Sequence, residues 1–159
     1  MDDGQTNEKT LRIIMPWRIR IGLILSAVGL LIFILGARPS VFGLDRSPIV
    51  GFVQIITFLV GLGIICIGGY VSLVSLWGKE PRTIKADIGL RLVSTGFVLA
   101  VFSGLTDVFG FGSHPLPGTP YFGPWQARGV EFGQLLIGIG FLLLIPIHRK
   151  LKIKEKSQK

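Results

Sequence analysis

The chain has 159 residues, is 49% hydrophobic and only 16% charged, and has a mean hydropathy of +0.62. A soluble domain usually carries about 25% charged residues, so the composition excludes an ordinary water-soluble fold and points to an all-α integral membrane protein. The net charge of +8 flanks the apolar runs instead of covering one face, which favours anionic phospholipid over nucleic acid as the partner.

Residues 1–16 read as a cytoplasmic N-terminal segment. The first ten are polar and expected to be disordered, and Leu11 to Trp17 are suited to the headgroup level, with Pro16 at a bend. The transmembrane domain is predicted over residues 17–147, with spans at 17–37, 49–77, 86–106 and 128–147. The first is too long and too poorly cleavable for a signal peptide, so a retained helix is expected. Arg18 and Arg20 at its start can snorkel to phosphate. The second span holds Cys66, the single cysteine, which excludes an intrachain disulfide and a cysteine-based metal site. At about 1.5 Å per residue it is longer than the ~30 Å hydrocarbon layer, so tilting or bending at Gly61, Gly63, Gly68 or Gly69 is expected. Arg91 lies more than a turn inside the third span. Residues 148–159 form a polybasic tail.

Topology follows from charge. Arg38, Arg46 and Arg128 fall on one side of the four spans, and the other Lys and Arg of the total of 17 fall on the opposite side. The positive-inside rule then puts both termini in the cytoplasm of a cell-membrane protein and the long loop outside.

The spans carry stripes of small and polar residues at helical spacing. These are Gly22, Ser26, Gly29 and Gly36 in the first span, and Gln54, Thr57, Gly61, Gly68, Ser72 and Ser75 in the second. The third carries Gly89, Gly96, Ala100, Ser103 and Asp107. Such stripes let helices approach closely in lipid, with hydroxyls able to bond across the interface. The fourth span has two: Gly129, Gly133 and Gly140, and about 150° away Glu131, Gln134 and Gly138. One helix can thus pack on two sides, within a four-helix bundle or against another chain.

The two outer loops also match at an offset of 80 residues. Val41-Phe42-Gly43-Leu44 lies over Tyr121-Phe122-Gly123-Pro124, and Val50, Phe52 and Gln54 lie over Val130, Phe132 and Gln134. The match suggests two tandem helical hairpins, with repeats related by an axis along the membrane normal.

Candidate ligand-binding residues gather toward the predicted outer surface: Gln54, Asp107, His114, Arg128, Glu131 and Gln134. A carboxylate near the membrane boundary needs a partner, and Arg128 three residues before Glu131 can supply one, with Asp107 competing. Tyr121 and Trp125 suit the aromatic belt. His114 and His148 fall on opposite sides of the membrane, which disfavours a haem held within one chain. No dinucleotide, phosphate-loop, zinc or nucleophile-elbow motif is present, so no cofactor, metal or catalytic residue is assigned. The expected role is structural or accessory, as a homo-oligomer or a subunit of a hetero-complex. The alternative is a small transporter, or a lipid- or quinone-handling protein with an outer-facing polar site.

Overall fold

The computed structural model describes residues 3–43, 51–78, 81–110 and 122–146, with side chains from residue 17 onward except that of Val41. The described residues form four long helices, α1 (Asp3–Ala37), α2 (Phe52–Trp77), α3 (Ile84–Gly104) and α4 (Pro124–Leu144), with a short 3-10 turn at Pro39–Phe42. Each contains a stretch long and apolar enough to cross a membrane, at Trp17–Ala37, Phe52–Trp77, Ile84–Gly104 and Pro124–Leu144. In lipid every backbone polar group must be satisfied within the protein, and helices do this locally. The chain is a small multi-pass α-helical membrane protein.

Several boundaries differ from expectation. The backbone of residues 3–16 continues α1 as helix through Pro16, where disorder and then a bend were expected. The third helix begins at Ile84 because Thr83 caps it, its hydroxyl accepting from the Ala86 N–H at 3.4 Å. The fourth begins at Pro124, four residues before the predicted start. Proline at the first helical position loses no hydrogen bond, and the Gln126 side chain turns back to accept from the Gly123 N–H at 2.9 Å. As for α2, it runs unbroken through Gly61, Gly63, Gly68 and Gly69. Those glycines serve packing and do not interrupt the helix.

The helices pair as two hairpins. Helix α1 packs along α2, and α3 along α4; α1 touches neither α3 nor α4. Both seams are built from reciprocal glycine pairs. A Cβ on Gly96 would lie 2.5 Å from the Gly133 carbonyl oxygen, and one on Gly133 would lie 2.6 Å from the Gly96 oxygen. Gly89 and Gly140 stand in the same relation at 2.6 Å each way, and Gly22 and Gly68 at 2.7 Å each way. Gly29 and Gly61 are the fourth pair, at 3.0 and 2.9 Å. No side chain fits at these positions, so backbones meet directly and dispersion and Cα–H···O contacts hold the seam. The predicted stripes are therefore the hairpin seams. Their hydroxyls behave otherwise than expected. Thr57 and Ser75 donate to carbonyls of their own helix, Val53 and Val71, at 2.7 and 2.6 Å, and the buried Ser72 hydroxyl has no partner among the described residues.

The glycine pairs also fix the repeat. Gly22 and Gly29 correspond to Gly89 and Gly96 at an offset of 67, while Gly61 and Gly68 correspond to Gly133 and Gly140 at 72. In this register Ile21-Gly22-Leu23-x-Leu25-x-x-x-Gly29 matches Ile88-Gly89-Leu90-x-Leu92-x-x-x-Gly96. Gly51, Gln54, Gly61, Ile65, Ile67 and Gly68 likewise match Gly123, Gln126, Gly133, Ile137, Ile139 and Gly140. The second hairpin differs by a longer connection between its helices. The two-hairpin reading of the sequence holds, but the loop match at an offset of 80 is not its register: Gln54 corresponds to Gln126 and not to Gln134.

The hairpins meet where α2 lies against both α3 and α4. Ile55, Leu59, Leu62 and Cys66 of α2 are buried with Val93 and Ala100 of α3 and Val130 and Ile137 of α4. Glycine again admits large neighbours: the Phe97 ring lies against Gly63 and the Phe141 ring against Gly69. Phe58 packs edge-on with Phe33 at 6.2 Å and Phe122 at 6.3 Å, tying α1 and the entry to α4 onto α2. At the opposite end the Trp77 indole N–H donates to the Leu144 carbonyl at 3.0 Å, in a buried position. That carbonyl ends a helix and has no intrahelical donor. Trp77→Phe removes its donor and is expected to cost about 1–2 kcal/mol, measured as a lower thermal unfolding midpoint in detergent; an unchanged midpoint would show the bond to be dispensable.

Candidate functional site

The predicted polar cluster divides into parts. Gln54 lies in the first turn of α2 and is half-buried, and Asp107 sits in the turn after α3, half-buried. Arg128, Glu131 and Gln134 lie on α4, and His114 and Tyr121 are outside the described residues, as are the tail residues 148–159. No side-chain hydrogen bond or ion pair joins any two of the five described members. The structure brings together Glu131 and Gln134, on one face of α4, and leaves Gln54 on another helix.

The expected Arg128–Glu131 pair is not formed. The Arg128 guanidinium lies over the Trp125 ring, 5.3 Å from its centroid. Both partners of the stack sit one helical turn apart and both are exposed. Such a cation–π contact contributes about 0.5–1 kcal/mol at exposed sites, and it turns the guanidinium toward the start of α4, away from Glu131. Among the described residues the ion pair within 4.0 Å is Arg82 with Asp87, at 3.9 Å. It sits at the start of α3, where Asp87 also favours the positive helix N-terminus.

Helix α4 starts early, and this changes the position of Glu131. It lies seven residues into the helix, about 10 Å along its axis, and it is exposed. A carboxylate near the bilayer centre costs roughly 3 kcal/mol on insertion scales, less near an interface. Gln134 follows one turn deeper, and Gly138 another turn deeper still. Nothing lies within 4 Å of where a Gly138 Cβ would be. The second stripe of α4 is therefore open at Glu131 and Gly138, with Gln134 half-buried, while the first, Gly129, Gly133 and Gly140, is filled by α3: Gly129 meets Ser103, Gly133 meets Gly96 and Ala100, and Gly140 meets Gly89 and Val93.

The repeat supplies the meaning of that open stripe. At the offset of 72, Ala127, Glu131, Gln134 and Gly138 occupy the places of Ile55, Leu59, Leu62 and Cys66. In α2 those four residues are buried against the second hairpin. In α4 the same face carries an exposed carboxylate, a half-buried amide and an exposed glycine. The sequence marked the stripe through its spacing; what it did not reveal was that the equivalent stripe on α2 is an occupied interface. Gln126, the helix-start residue, was not singled out at all. Its signal is the shared Gly-x-x-Gln at the start of α2 and α4.

Among the described residues no group of three His, Cys, Asp or Glu is placed to hold a metal ion. Family models, curated proteins and solved structures yield no match to this chain.

Proposed function

We propose that this protein is a structural or accessory subunit of a membrane assembly, working through helix faces and not through chemistry at a pocket. The observation that carries this reading is the open polar stripe of α4, Glu131, Gln134 and Gly138, on a helix whose other small-residue stripe is already filled. A carboxylate and a glycine on a lipid-facing helix are costly and unhelpful to packing in lipid, whereas both serve a helix–helix contact. The test is purification in mild detergent from the native membrane with identification of co-purifying polypeptides by mass spectrometry. Stoichiometric recovery of a further chain, identical or different, is the expected result. A clean monomer overturns the reading.

The assembly sits in the cell membrane with both termini cytoplasmic. The distribution of Lys and Arg supports this sidedness, since the segment joining α2 to α3 and the C-terminal tail are basic. The tail also suits anionic headgroups on the cytoplasmic face. In a Cys66→Ala background, Gly78→Cys is expected to react with a membrane-impermeant thiol reagent only after the membrane is opened, and Ser113→Cys in intact cells. The reverse pattern inverts the orientation.

A further inference from the structure

We propose that a second copy of this chain fills the open face of α4, docking the groove between its α1 and α2 there so that Glu131 of one copy meets Arg38 of the other. This names the partner in the assembly proposed above and rests on that reading. Within one chain, the α2 face docks into the groove between α3 and α4. Each chain carries the equivalents of both surfaces: the α4 face, at an offset of 72, and the α1–α2 groove, at an offset of 67 from α3, where Phe58 is packed with Phe33 and Phe122 of its own chain and Leu30 is left exposed. The groove residues Leu30 and Ile34 of α1 stand where Phe97 and Val101 stand in α3.

Charge supports this occupant over others. In the contact within the chain, Leu59 reaches Gly104 at 3.3 Å from its Cβ position, and Leu105 packs against the same cluster. The repeat replaces Leu59 by Glu131 and Leu105 by Arg38. Two leucines of one apolar cluster inside the chain thus become a carboxylate and a guanidinium between copies, and both are exposed in the single chain. The remaining substitutions keep the face usable, since Gly138 stands where the buried Cys66 stands, and glycine permits close approach. Because the two hairpins run parallel and the contact is heterologous, two copies that each offer both surfaces satisfy both of them when each hairpin is turned by about a quarter turn from the last around an axis along the membrane normal.

The experiment uses the full chain in membranes, in a Cys66→Ala background. Leu135 and Leu30 are the equivalents of Gly63 and Phe97, which touch within the chain. Leu135→Cys and Leu30→Cys proteins are co-expressed on separate, differently tagged chains and treated with a short bis-methanethiosulfonate reagent, which spans the length of the Phe97 ring in the equivalent contact. A disulfide-linked dimer carrying both tags is expected, and neither single-cysteine protein alone should crosslink. Glu131→Arg and Arg38→Glu, each present on both chains, are expected to lower the crosslinked fraction by roughly tenfold, and the two changes together to restore it. Absence of the mixed dimer, or crosslinking of either protein with itself, overturns the proposal. If that happens while native purification yields a different polypeptide partner, the accessory reading stands and only the self-association falls. A monomer in both experiments removes both.

Discussion

Gly96→Leu and Gly133→Leu are each expected to take the α3–α4 hairpin apart. A Cβ at either site would sit 2.5–2.6 Å from the opposing carbonyl oxygen. The obstacle is backbone, which cannot rotate aside as a side chain can, so the helices must separate along the seam. Overpacking of a well-filled core costs about 1–3 kcal/mol and sometimes more, and a leucine against backbone belongs at the top of that range. The same holds for Gly29 and Gly61 in the first hairpin. Gly138→Leu is the matched control: it has the same chemistry on the same helix, but nothing lies within 4 Å of its Cβ position. Thermal unfolding of the single chain, in a detergent that separates copies docked on the α4 face, distinguishes them. The seam variants are expected to lose their cooperative transition or shift it far downward, and Gly138→Leu to keep it. Equal behaviour of Gly133→Leu and Gly138→Leu would contradict the seam.

Leu59→Glu is expected to separate the two hairpins while leaving each intact. Leu59 is buried between them, against Gly104 and the apolar cluster around Ala100 and Val130, and takes no part in the glycine pairs. An unpaired carboxylate there costs roughly 3 kcal/mol or more, while the seams contain no residue that the change touches. The tip of the Phe97 ring meets Gly63, so the readout is a disulfide-linked bridge formed by a short bis-methanethiosulfonate reagent between Gly63→Cys and Phe97→Cys in the Cys66→Ala background. Leu59→Glu should abolish that bridge, and Leu105→Arg added to it should bring it back by supplying the pair that the repeat carries at Glu131 and Arg38. Retention of the bridge in Leu59→Glu alone would show that this contact does not hold the hairpins together.

Much of the architecture was written in the spacing of small residues. Gly22, Gly29, Gly89, Gly96, Gly133 and Gly140 fall on helical stripes, and in lipid a stripe of small residues has one strong use, close packing. The repeat register was harder to read, because phenylalanine and glycine are common in this chain and their loop pairing at an offset of 80 is compact, whereas the matches at 67 and 72 are dispersed. A duplication whose copies differ in loop length cannot be followed at one offset. The Arg128–Glu131 pair was permitted by its i, i+3 spacing, but Trp125 stands at the same spacing on the other side of Arg128, and sequence alone does not rank an aromatic face against a carboxylate. The start of α4 was missed because Gly-Pro reads as a loop signal, although proline is equally at home in the first turn of a helix. That misplacement hid the depth of Glu131, and with it the point of the whole face.

The central claim is that this chain works as part of an assembly formed through the open face of α4. Native mass spectrometry of the protein released directly from membrane vesicles, without prior detergent purification, tests it most directly. The account predicts that the 17.4 kDa chain appears at twice its mass, and that Glu131→Arg shifts the population toward the single chain. A single chain of 17.4 kDa as the sole species from the native membrane would contradict it.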